Sequence, residues 1–86
     1  MTYTVIYTAR ARRDLKSLPP TAARRIILSV AGLRENPYRH LKKLAGFSRT
    51  PVYRLRVGMY RVVLTIEDER LLILVLEVGH RSAIYK

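Results

Sequence analysis

The chain has 86 residues, a net charge of +11 and no cysteine, so one domain must stand on one modest core without disulfides or thiolate-bound metal. Its longest apolar run, residues 71–76, is too short to span a bilayer. Thirteen arginines against four lysines favour planar, bidentate contacts to phosphate and point to a polyanionic partner, nucleic acid first, with an acidic protein or an anionic membrane surface as the competing readings.

Met1 leads directly into a strand pattern with no basic leader region, so the expectation is an unprocessed cytoplasmic protein. Residues 3–8 alternate in β-branched and aromatic side chains and predict a first strand. The Thr8 hydroxyl is placed to cap a helix in which Ala11, Leu15 and Leu18 form one apolar stripe, with Arg10, Arg12, Arg13 and Lys16 off it. Pro19 and Pro20 end that helix and suit the first turn of a second one, whose core face is expected to be Ala23, Ile26, Ile27, Val30 and Leu33 before Asn36 and Pro37 stop it. Residues 38–51 show no period; Arg39, His40, Lys42, Lys43 and Arg49 surround Leu41, Leu44 and Phe47, which reads as a partly anchored basic loop. Three strands follow at 52–57, 60–66 and 71–78, the last apolar at nearly every position and therefore expected at the centre, covered on both faces. One α+β domain over residues 1–86 results, in the order βααβββ, with a two-helix hairpin on a mainly antiparallel twisted sheet.

Gly58 and Met59 carry the Gly-X signature of a two-residue type II′ hairpin, which pairs Val57 with Tyr60 and hence Arg56 with Arg61. Directly opposed like charges cost a few tenths of a kcal/mol or more, and an anion between them reverses the sign. Arg54 lies two residues from Arg56 and shares its face, so Arg54, Arg56 and Arg61 form one patch. A three-residue turn at Asp68, Glu69 and Arg70 is expected, because it sets Arg61 opposite Glu77, gives that mid-strand carboxylate a cationic partner and brings Arg81 to the same side; a two-residue turn without a bulge would send Arg81 to the core face. Tyr53 and Tyr60 read as core or hairpin-packing residues. Tyr85 suits either stacking on a base or terminal packing. His40 and His80 do not make a metal site, and no metal or other cofactor is expected. His80 is kept as a proton carrier beside Arg81, against the alternative of an exposed strand end. There is no P-loop, nucleophile elbow or carboxylate pair.

The segments KKLAG and VYRLRVGMYRVVLTIEDERLLILVLEVGHRSAIYK, and within them YRLRVGMYR and VGHRSAIY together, resemble the RelE group of the RelE/ParE toxin superfamily, and the likeness runs over essentially the whole chain. The resemblance implies the RelE-like fold and a toxin that enters the ribosomal A site and cuts messenger RNA without metal, by attack of a ribose 2′-hydroxyl on the adjacent phosphorus. It also implies a cognate, RelB-like antitoxin as partner, with the ribosome and its message, and no membrane. It assigns phosphate stabilisation to Arg61 and Arg81 and nucleotide holding to Tyr85. Arg54 and Arg56 stand where some relatives have lysines, and arginine does not give up a proton at neutral pH, so any base role of those lysines passes to another group, His80 being the candidate. Arg10, Arg12, Arg13, Lys42 and Lys43 suit ribosomal RNA. A ParE-like toxin acting on DNA gyrase and a non-catalytic RNA- or ribosome-binding module are the alternatives.

Overall fold

The computed structural model describes residues 2–44 and 51–80. Its element order is β1 (Thr4–Tyr7), α1 (Ala9–Lys16), α2 (Pro20–Ala31), β2 (Leu41–Lys43), β3 (Val52–Val57), β4 (Tyr60–Glu67) and β5 (Leu72–His80). The strands form one sheet in the order β1-β5-β4-β3-β2, antiparallel throughout except for the parallel β1–β5 pair. The βααβββ order holds with one addition. Part of the expected basic loop is a short edge strand, β2, which pairs Leu41 with Leu55 and Lys42 with Arg54.

Both helices lie on one face of the sheet and seal the core. Ile26, Val30 and Leu33 from α2 and its exit turn meet Leu55, Val57, Val62, Leu64, Ile73, Val75 and Val78. Each large side chain buried here contributes about 1.5–3 kcal/mol. Ile27, expected in the core, is 45% exposed beside Leu28 at 62%; the stripe through Ile26 and Val30 faces the sheet, and Ile27, one residue round the helix, falls at its rim. The central strand is β4, with residues 62–66 all buried, not the last strand as its composition suggested. β1 adds beside β5, so β5 is internal but its outer-face residues Leu72 and Leu74 are only half-buried.

β1 covers β5 only from Leu72 to Val75. Beyond that point α1 takes over the edge. Thr8 N–H donates to Val75 O at 3.0 Å, Thr8 Oγ1 donates to Leu76 O at 2.9 Å and accepts from Ala11 N at 3.1 Å, and Val78 N–H donates to Asp14 Oδ2 at 3.0 Å. Thr8 is thus the helix cap that the sequence predicts and also a clamp on the strand. Three edge groups that an open strand would present to other chains, Val75 O, Leu76 O and Val78 N–H, are thus satisfied by Thr8 and by Asp14 of α1.

The β3–β4 hairpin has the expected register, Val57 opposite Tyr60 and Arg56 opposite Arg61. Gly58 has φ +59 and Met59 has no positive φ, as a type II′ turn requires. The β4–β5 turn differs from expectation. It spans four residues, 68–71, with Glu67 opposite Leu72, and Leu71 closes it at φ 50, a left-handed backbone that costs a leucine about 1 kcal/mol or more. An even turn alone would send Glu77 to the helix side. A bulge between Val63 and Leu64 on the β4 side, where Leu64 faces Val75 and Val63 faces Glu77, adds one residue to β5 and restores the parity. Arg61 therefore faces Gly79 rather than Glu77.

The tip of that turn is tied down by Asp68, which accepts from Tyr3 Oη at 2.7 Å and from Tyr38 Oη at 2.7 Å. The Tyr3 and Tyr38 hydroxyls hold the Asp68 carboxyl below the usual carboxylate range. The Tyr38 phenol is pushed up, first by burial and then by the Asp68 bond. A depressed carboxyl contributes stability above its ordinary value, about 3.9, and loses it as pH falls through the folded value; a raised phenol contributes below its ordinary value, about 10, and loses it as pH rises through the folded one. Asp68→Asn should therefore be less stable than the parent at neutral pH, with the two urea-unfolding curves converging below about pH 4. Parallel curves across that range would show that the carboxylate charge contributes nothing.

Candidate functional site

On the sheet face turned away from the helices, side chains align in rows across the strands. One row runs Lys42, Arg54, Val63, Glu77; the next, towards the hairpin, runs Arg56, Arg61, Gly79. Four cations from three strands thus share one surface. Arg54 and Arg61 are half-buried, with their Nε atoms inaccessible to solvent, while Arg56 is exposed and its Nε donates to Gly58 O at 3.5 Å. Partial burial of guanidinium stems fixes the heads and raises the strength of an anion contact over one made in open water.

Glu77 enters this surface from β5. Its Oε2 lies 2.8 Å from Arg10 Nη2, and its side chain is 24% exposed. Arg10, expected to contact RNA, reaches this face from α1 and holds that carboxylate; Arg61, its expected partner, is one step along the sheet. Arg12 and Arg13 are exposed on α1. Lys43 faces Tyr53 and so points to the helix side of the sheet, the opposite side from Lys42.

His80 pairs with Tyr60, a residue on the helix side. Its ring stands edge-on to Tyr60 with centroids 5.9 Å apart, beside Arg25 and Gly58 in an open cleft of about 430 Å³. Strand parity puts it across the sheet from Arg56 and Arg61. Arg81 and Tyr85 lie outside the described residues, as does the 45–50 segment of the basic region. Glu77 was expected on this face, but its Arg10 partner, the bulge that brings it there and the strand β2 were not legible beforehand: a bulge and a three-residue strand leave almost no periodic signal. Among the described residues no group of three or more histidine, aspartate or glutamate side chains gathers as a metal site, and no helix is long and apolar enough to cross a membrane.

A second surface lies on the far side of the molecule. Leu15, Leu18, Pro20, Ala23, Ile27 and Leu28 line an apolar groove between α1 and α2, with Lys16 and Arg24 at its margins.

Residues 5–85 match the family model for the ParE toxin of the type II toxin-antitoxin system parDE. The toxin RelG of Mycobacterium tuberculosis is 37% identical over 91 residues, covering all of this chain and 99% of the relative. The toxin RelE of the same organism is 36% identical over 85 residues, covering 98% and 87%. In the crystal structure of the RelBE2 toxin-antitoxin complex from M. tuberculosis, one chain superposes with a TM-score of 0.81 at 35% identity, covering 94% of this chain and 100% of that one. The archaeal RelE-RelB complex from Pyrococcus horikoshii gives 0.80 at 29% identity, covering 94% and 97%. With the same helix hairpin on the same mixed sheet, and with likeness in sequence from end to end, the chain belongs to the ParE toxin family of type II toxin-antitoxin systems and is a RelE-type toxin of the RelE/ParE superfamily.

Proposed function

We propose that this toxin is a ribosome-dependent endoribonuclease that enters the A site and cuts the bound message without a metal ion, stopping translation in the cytoplasm. The observation that carries the reading is the convergence of Lys42, Arg54, Arg56 and Arg61 on one sheet face. Cleavage by the 2′-hydroxyl requires an in-line approach to phosphorus and neutralisation of charge on the phosphate oxygens as it develops. Arg61, half-buried and set between Arg56 and the side-chain-free Gly79, suits the second task. Arg54 and Lys42 suit the neighbouring backbone phosphates, which position the strand without reading its sequence. In this reading Arg81 donates to the leaving 5′ oxygen and Tyr85 stacks on a base; the products are a 2′,3′-cyclic phosphate and a 5′-hydroxyl. Exposed Arg12 and Arg13 supply salt-sensitive affinity for ribosomal RNA.

The matching family model is described by ParE, and that favours one second reading, a toxin that binds DNA gyrase and cuts nothing. The two readings part on ribosomes programmed with a known A-site codon and examined by primer extension. The nuclease reading predicts cuts within that codon, slowed by about 10²-fold or more in Arg61→Ala. Uncut messages together with inhibited gyrase supercoiling would select the other.

The partner is proposed to be a RelB-like antitoxin, as in the complexes this fold resembles. The groove between α1 and α2, apolar at its floor and basic at its margins, suits an amphipathic segment with acidic flanks. Leu28 is 62% exposed there, and Leu28→Asp should weaken a titrated antitoxin by about tenfold or more while leaving the fold intact. Unchanged affinity would move the antitoxin to another face.

A further inference from the structure

The reaction proposed above needs a group that takes the proton from the 2′-hydroxyl, and arginine is unsuited to that at neutral pH. The chain has only six acidic residues and two histidines, and the fold commits most of them elsewhere. Asp14 accepts the Val78 amide, Glu35 accepts from Thr2 and Asp68 holds two tyrosines. Glu67 and Glu69 belong to the far end of the β4–β5 hairpin, where Glu67 lies near Arg70. His40 is exposed just ahead of β2, and His80 lies on the helix side of the sheet. Glu77 alone of these eight stands in the arginine rows.

We propose that Glu77 is the general base of the cleavage. It faces Val63, whose neighbour on β3 is Arg54, and it sits diagonally from Arg61 across the Arg61–Gly79 pair, a separation of about 7–8 Å in a regular ladder. A phosphate held by Arg61 then lies within a side chain's reach of the carboxylate. Gly79 puts no side chain between them. The side chain is 24% exposed, open to substrate yet partly shielded, and Arg10 engages Oε2 at 2.8 Å. Arg10 is a positioning residue: its contact with Oε2 restrains the carboxylate rotamer. In the step itself, the 2′-proton passes to Glu77 Oε1 as the bond from O2′ to phosphorus forms. The bond from phosphorus to O5′ breaks, and O5′ takes a proton from the acid side of the site, Arg81 in the reading above. The bulge at residues 63–64 is what delivers Glu77 to this face, because without it the four-residue turn would send the carboxylate to the helix side.

The inference rests on the nuclease reading, and one experiment separates the two. Single-turnover cleavage on programmed ribosomes is measured for the parent, Glu77→Gln, Glu77→Asp and Arg10→Gln, with binding of a message carrying a 2′-deoxy residue at the attack position followed alongside. Glu77→Gln should lose about 10²–10⁴-fold in rate and bind the 2′-deoxy message at least as tightly as the parent, since a negative charge leaves a cationic surface. Glu77→Asp should recover part of the rate, and Arg10→Gln should lose less than about tenfold. If Glu77 serves only to anchor α1 through Arg10, the two glutamine variants fall together in rate and in thermal stability, and the proposal is wrong. It is equally wrong if Glu77→Gln cuts within about threefold of the parent. A parent protein that makes no cut removes the nuclease reading and this base with it.

Discussion

The basic face of this toxin depends on one constraint, the hydrogen-bonded register between β3 and β4, which holds Arg56 directly opposite Arg61. A two-residue turn that starts on a glycine at φ +59 admits no other pairing, since a slip of one residue would turn the arginines into the core and the leucine and valines out. The pairing is unfavourable by itself, because two cations face each other at about 5 Å between Cβ atoms. It is maintained by the opposite face, where Leu55, Val57, Val62 and Leu64 are buried against the helices. Hydrophobic burial on one side of the sheet thus holds cations together on the other, and that is the general means by which a small sheet presents a preorganised anion site.

A second register completes the surface. β1 covers only the first half of β5, and α1 swings over the rest through Thr8 and Asp14. The bulge falls where one cover gives way to the other. It restores the parity that the four-residue turn had shifted, so that Glu77 and Gly79 lie beside Val63 and Arg61. The same helix that caps the strand sends Arg10 to the carboxylate. Fold and basic face therefore share their parts: α1 is an edge cover, a core layer and the carrier of Arg10, which engages Glu77.

Much of this was readable beforehand, and what escaped has a physical reason in each case. Thr8 as a cap, the two proline-separated helices, the Gly58 hairpin and the common face of Arg54, Arg56 and Arg61 all follow from short-range rules that act within a few residues. The four-residue turn escaped because it closes on Leu71 in a left-handed backbone, where glycine or asparagine would have announced it. The bulge has no residue signature, since it answers to a helix packed against a strand edge. β2 is three residues long and exists through its pairing with β3, and Ile27 is apolar for a reason that lies on the outer surface of the hairpin, where the groove between the helices opens. His80 could not be placed without knowing where the bulge falls, since the restored parity is what pairs it with Tyr60 on the helix side.

The central claim, that burial forces two guanidiniums into a shared anion site, is tested most directly by the stability of Arg56→Gln against the parent at low ionic strength, with and without inorganic phosphate. The account predicts that the variant is more stable by a few tenths of a kcal/mol in chloride, and that phosphate closes or inverts the gap by stabilising the parent. A parent no less stable than the variant, and indifferent to phosphate, would contradict it.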